Sequence, residues 1–255
     1  MIANRTIKLV KSLHQKKYRN QHQLFLVEGA KGVLELLSSG YSVETLIGTQ
    51  VFVEQHKDLL SQRLPQDQIY TVSESVLSSL SAFKHNNAAV AVARIPSSPL
   101  TLTHLDDYVL ALDDVRDPGN LGTILRIADW YGIRQIICSE QTTDGYAPKV
   151  ISASMGSFLR VRLQYVDLAQ YLSQAERPIY GAVLEQGQIV HQASFAPVGI
   201  LLLGNESVGI RPELLPLVQH RIYIPRYGQA ESLNVGMATA IICDNLRRSQ
   251  GKFEI

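Results

Sequence analysis

The sequence predicts an α/β protein built in two parts, and three observations carry that prediction. Strand-like runs with few charges alternate with helix-like runs, the pattern of sheets covered by helices. A Pro/Ser/Thr-rich stretch, ARIPSSPLTLTHLDD, interrupts the alternation. The charge balance changes sign across it: residues 1–100 carry eleven Lys/Arg against seven Asp/Glu, and residues 101–255 carry thirteen against sixteen. A chain of 255 residues has room for two domains.

The elements follow in order. LFLVE (24–28), TLIG (45–48), QVFVE (50–54) and AAVAVAR (88–94) read as strands, with GAKGVLELLSSG and SESVLSSLS as helices between them. They form a smaller N-terminal α/β domain over 1–95. Pro96 and Pro99 mark a linker over 96–105, and the second domain covers 106–255. A fragment beginning near Thr101 is expected to fold alone. In the second domain YVLALDD is a strand, NLGTILRIADWYG a helix and IRQIIC a strand. Asn120 is placed to cap a helix starting at Leu121 and Gly132 to end it, with Ile124, Ile127, Ala128 and Tyr131 as the buried stripe. The strands IYGAVL, GILLLG and RIYIP come next. A closing helix from about Asn234 to Gln250 is buried through Val235, Ala238, Ile242 and Leu246. Together these predict a parallel sheet covered on both faces.

Composition removes several classes of function. A hydrophobic fraction of 45% excludes wholesale disorder. No apolar run approaches the roughly 20 residues that cross a bilayer. The first 20 residues scatter Lys and Arg through their apolar positions, so no signal-peptide core can be drawn. Cys138 and Cys243 lack any C-x-x-C or zinc spacing and fit a reducing compartment. The expectation is a soluble cytoplasmic protein without membrane or metal. Dinucleotide, P-loop, zinc-hydrolase and nucleophile-elbow motifs are all missing from the sequence. Arg5, Lys8, Lys11, Lys16, Lys17 and Arg19 make the N-terminus basic with no acid among the first 23 residues. Such a patch can attract phosphates, or it can be an ordinary solvated helix face.

In an open α/β sheet, ligands bind beyond the carboxyl ends of the strands, and three such ends are unusually polar. DDVRDPGNLGTILR carries Asn120 and Arg126. LLLGNESVGIRPEL puts Asn205 and Glu206 at the mouth of a buried strand, with Gly204 able to admit a ligand to the backbone and Gly209 allowing a tight return. RIYIPRYGQAESLNVGMATA ends a strand at Pro225 and reaches Ser232-Leu233-Asn234, where Ser232 and Asn234 compete to cap the closing helix.

Asn120-x-Gly122-x-x-x-Arg126, Gly204-Asn205-Glu206-x-x-Gly209, and Ile224-Pro225 with Ser232-Leu233-Asn234-Val235 resemble, in order and spacing, the three motifs of the SpoU/TrmH family. These are S-adenosylmethionine-dependent RNA ribose 2′-O-methyltransferases of the SPOUT superfamily. Residues 1–95 resemble that family's ribosomal-protein-like substrate-binding domain. The resemblance implies a C-terminal SPOUT domain with a deep trefoil knot and homodimers formed through that domain. It also implies a cofactor gripped by Leu203, Gly204, Asn205, Gly209, Ile224, Leu233 and Asn234. Asn120, Arg126, Glu206, Ser232 and Asn234 take the catalytic positions, and the basic N-terminal residues would bind RNA, ribosomal rather than transfer RNA. A transfer-RNA methyltransferase, or a catalytically silent RNA-binding or assembly factor of the same fold, stays open as an alternative.

Overall fold

The computed structural model describes residues 2–82, 86–96 and 107–251. Apart from Pro96, the expected linker lies outside them. The chain forms two compact units, one of residues 1–98 and 144–159, the other of 99–143 and 160–255.

The first unit opens with α1 (Asn4–Ser12) and α2 (Lys16–His22). It continues through β1 (Leu24–Glu28), α3 (Ala30–Leu37), β2 (Val43–Gly48), α4 (Gln50–Gln55) and α5 (Lys57–Arg63), then β3 (Ile69–Thr71), α6 (Glu74–Leu80) and β4 (Ala89–Arg94). The sheet order is β1-β4-β2-β3, with β4 antiparallel to both neighbours. Strand side chains alternate between faces, and both faces of β1 are buried. Leu24 and Leu26 join Val10, Leu13, Leu77 and Leu80 in one apolar cluster. Phe25 instead packs on Tyr41, Tyr146 and Phe158, so residues 144–159 complete this unit's second layer.

The expected strand QVFVE is a helix. Thr49 caps it, its hydroxyl accepting from the Phe52 N–H, and Phe52 is buried while Val51 is exposed. Once a cap starts a turn, the apolar residues divide between core and solvent at helical spacing, and a short apolar run carries no other signal to resist it.

The second unit contains β5 (Val109–Leu112), α7 (Pro118–Trp130) and β6 (Gln135–Ser139). After α8 (Pro148–Ser154), which lies in the first unit, come β7 (Arg162–Val166), α9 (Leu168–Ser173), β8 (Ile179–Ala182) and β9 (Gln188–Ile189). β10 (Ile200–Leu203), β11 (His220–Tyr223) and α10 (Val235–Ser249) end the unit. Its sheet is parallel throughout, in the order β7-β6-β5-β10-β8-β11-β9. The central strands β5 and β10 are buried along their whole length, as parallel strands covered on both faces must be. Their register pairs Leu112 with Leu203, so two of the polar loops leave the sheet side by side.

Three local expectations change. α7 begins at Pro118 and is capped by Asp117, whose carboxylate accepts from the Asn120 N–H; proline at the first helical position is preorganised and forfeits no bond. Its buried side is Leu121, Ile124, Leu125 and Ala128, with Ile127 and Tyr131 only half-buried. In α10, Ala238 is half-buried and Thr239 and Cys243 take the core positions. Gly132, at positive φ, does close α7: its N–H donates to the Asp129 carbonyl and that of Ile133 to the Ala128 carbonyl.

Candidate active site

Three asparagine and glutamate side chains tie the polar loops together. Asn234 caps α10, its Oδ1 accepting from the N–H groups of Gly236 at 3.0 Å and Met237 at 3.3 Å. That use of the oxygen fixes the amide, and Nδ2 donates to Asn120 Oδ1 at 2.8 Å. The Asn120 oxygen is thereby engaged in turn, so its Nδ2 donates to Glu206 Oε1. A directed chain therefore starts at a helix N-terminus, crosses from the third loop to the first, and ends on a carboxylate of the second. The other Glu206 oxygen makes no hydrogen bond among the described residues, and Glu206 is only half-buried. The competition for the cap is also settled, because Ser232 is exposed and without a hydrogen bond among the described residues.

The second loop is closed upon itself. Asn205 and Gly209 exchange both main-chain hydrogen bonds, at 3.0 and 2.8 Å, and Asn205 Oδ1 accepts from Ser207 and Val208. Asn205 Nδ2 donates to the Asp114 carbonyl at 2.7 Å. A Cβ on Gly204 would stand 2.1 Å from the Gly209 carbonyl carbon and 2.2 Å from the Ile210 nitrogen. The backbone that approaches Gly204 is thus its own loop, which replaces the expectation that Gly204 is small for a ligand's sake. Leu203 has its side chain in the core, leaving only its main chain to the loop mouth.

Sequence reasoning missed the anchor beneath this loop. Asp113 is fully buried and accepts from Arg211 Nε at 2.7 Å and from the Arg211 main-chain N–H at 2.8 Å. Two adjacent aspartates after a buried strand were the available signal.

The geometry joins in space what the sequence spaces far apart. Residues 107–244 match the SpoU rRNA Methylase family, more than half of the chain. The chain belongs to that family. Residues 4–91 of this SpoU-family chain match the MRM3-like substrate binding domain. The 23S rRNA (guanosine(2553)-2′-O)-methyltransferase RlmP of Bacillus subtilis (strain 168) is 33% identical over 257 residues, 96% of either chain. The 23S rRNA (uridine(2479)-2′-O)-methyltransferase of Streptomyces viridochromogenes is 28% identical over 238 residues, covering 88% of this chain and 83% of its own. An AdoMet-bound rRNA methyltransferase from Sinorhizobium meliloti has the same fold, with a TM-score of 0.87 and 31% identity over 100% of this chain and 97% of that one.

Not every expected residue of the SpoU site joins the chain of bonds. Arg126 is exposed on α7 and makes no hydrogen bond or ion pair among the described residues. Leu233 is exposed and Ile224 half-buried. From Pro225 to Leu233 no main-chain hydrogen bond is formed among the described residues, although Arg226 reaches the Ala230 carbonyl. Backbone donors and acceptors there are open to a ligand, which suits a cofactor held by main chain. Among the described residues no group of three or more His, Cys, Asp or Glu could hold a metal ion, and no helix is long and apolar enough to cross a membrane.

In the first unit, Arg5, Lys8, Lys11, Lys16 and Lys17 are exposed on α1 and α2. Arg19 is not part of that surface. It is 3% exposed, both Nε and Nη2 donate to Asp144 Oδ2, and Nη1 donates to the Leu13 carbonyl at 2.8 Å. A buried guanidinium bonded to a carboxylate and a carbonyl is a packing element, and phosphates cannot reach it.

Proposed function

We propose that this chain transfers a methyl group from S-adenosylmethionine to a ribose 2′-hydroxyl of ribosomal RNA. As a SpoU-family enzyme it is an S-adenosylmethionine-dependent RNA ribose 2′-O-methyltransferase, and the ribosomal target rests on relatives named for 23S rRNA. The single observation that carries the reading is the bonded chain Asn234–Asn120–Glu206, which draws the three motif loops to one place.

The cofactor supplies an electrophilic methyl group on a sulfonium. Main-chain groups of Gly204, Ile224 and Leu233 are the proposed grip. Gly209 and the Asn205 amide hold the second loop in shape, and Asn234 fixes the entry to α10. Transfer requires the 2′-oxygen to be aligned and its proton engaged. The unbonded oxygen of Glu206 is the proposed acceptor for that hydroxyl, with Asn120 orienting the carboxylate. A guanidinium has five donors and no acceptor, so the part of Arg126 is to hold an adjacent phosphate or the developing alkoxide. Ser232 shapes the wall of the same mouth. The exposed cations of α1 and α2 are the proposed RNA contact, and their phosphates would set affinity without reading sequence.

We also carry the trefoil knot and a homodimer through the second unit as parts of this reading. Exposed Leu233 and Met237 at the start of α10 support a partner there. The test uses unmethylated 23S rRNA transcript with methyl-labelled S-adenosylmethionine. Wild type should incorporate label. Glu206→Gln and Arg126→Ala should each lower kcat at least about tenfold, the order of one acid–base or electrostatic contact, with cofactor affinity unchanged. A silent RNA-binding factor would bind the transcript and give no heat with S-adenosylmethionine in calorimetry.

A further inference from the structure

α7 carries a second exposed feature, one turn beyond Arg126. Trp130 is 83% exposed, although tryptophan is a large side chain normally buried for most of its surface. Helix residues four apart stand about 5–6 Å from each other at Cβ, so the indole and the Arg126 guanidinium rise from one face. The residues around them are cationic. Arg160 is held against Asp129, the residue before Trp130, by hydrogen bonds of 2.8–3.1 Å. Arg134 and Arg162 are exposed just past the helix end, joined by a main-chain hydrogen bond of 2.9 Å. Arg126, Arg134, Arg160 and Arg162 thus outnumber the carboxylates here, which are Asp129, bound to Arg160, and Asp244, which accepts from the Tyr131 hydroxyl.

That charge chooses between occupants. A symmetric contact with a second copy would set this face against itself and bring like charges together. RNA brings the opposite charge, and an exposed aromatic plane among guanidiniums is what unstacked bases and their phosphates bind. We propose that Trp130 is a stacking residue for the substrate RNA, holding a nucleobase next to the phosphate or ribose that Arg126 contacts. Stacking is tolerant of base identity, so Trp130 sets the register and affinity of the strand and leaves the choice of base to other groups. The inference rests on the RNA methyltransferase reading above.

Trp130 is the chain's single tryptophan, so its fluorescence reports on this position alone. The full-length protein is titrated with the shortest fragment of 23S rRNA transcript that it still methylates, and the same fragment serves for kinetics. Emission should be quenched saturably by RNA and left unchanged by S-adenosylmethionine. Trp130→Ala should raise the KM for RNA between about 5- and 100-fold, the loss of one stacked base, with kcat and the cofactor KM unchanged. Trp130→Phe should recover most of it. The ring's exposure means that neither change should disturb folding. Normal methylation with unquenched emission and an unchanged KM in Trp130→Ala would overturn the stacking role while leaving the methyltransferase reading intact. A blue shift that grows with protein concentration in the absence of RNA would assign Trp130 to a second copy. If wild type methylates no 23S rRNA fragment, the parent reading fails and the inference with it.

Discussion

Asn234 does two jobs with one amide, and its two ends can be separated. The oxygen caps α10 and the nitrogen holds Asn120. Asn234→Ser keeps a cap of nearly equal quality and removes the donor. Thermal stability should therefore stay close to wild type while kcat falls, as a melt and a turnover assay on the same sample would show. Asn234→Ala should also cost about 1 kcal/mol of stability; equal melting temperatures for the two would mean that the cap contributes little. At this scale the sequence was partly legible. Ser232 and Asn234 both have cap chemistry, and only the register of α10 decides between them. Asn120 was misread because it stands directly before an apolar run, whereas Asp117-Pro118 three residues earlier is the stronger start signal. The burial of Arg19 could not be read, because its partner Asp144 lies 125 residues away.

Elements explain why the second loop tolerates so little change. Gly204 faces the backbone of Gly209 and Ile210, and main chain cannot swing aside as a flexible side chain can. Gly204→Ala should destabilise the protein by about 1–3 kcal/mol, the usual range for overpacking, and weaken cofactor binding as a consequence. An unfolding curve shows the first effect without any ligand. Unchanged stability with lost cofactor binding would restore the view that the glycine makes room for a ligand. The strands of the second unit were legible because a buried parallel sheet writes continuous apolar runs such as Val109–Leu112 and Ile200–Leu203. The helix over Gln50–Gln55 was not, since six residues with three apolar ones fit both periods and the cap at Thr49 alone decides.

On the scale of the whole molecule, burial of ionisable groups sets an alkaline limit. Burial pushes the Cys243 thiol up to about 12, with Arg247 opposing weakly, and raises Cys138, Tyr108 and Tyr146 further still. In the unfolded chain thiols titrate near ~8.5 and phenols near ~10. The folded state holds these protons longer, so their contribution is complete below about pH 8.5 and is lost as pH rises from there toward 12. The melting temperature should fall steadily between about pH 9 and 11, and neither thiol should react with a thiol reagent in the native protein. A flat melting temperature across that window would contradict the burial of these groups. Cutting the chain near Thr101 has a cost that the sequence does not show. It parts Phe25 from Tyr146 and Phe158, and Arg19 from Asp144, because residues 144–159 complete the first unit. A fragment from Thr101 onward should therefore be less soluble than the full chain, and sedimentation after lysis would measure it. That segment carried no motif and no strong period, so nothing in its residues pointed to the first unit.

The central claim is that the acceptor is a ribose 2′-oxygen, and a single-atom change tests it most directly. Once the methylated nucleotide of 23S rRNA is mapped, an RNA fragment is made with that nucleotide as its 2′-deoxy form and given to the full-length protein with methyl-labelled S-adenosylmethionine. Binding should persist, because phosphates dominate affinity, and label transfer should vanish with the missing oxygen. Label transferred to the deoxy fragment would place the chemistry on a base and contradict the account.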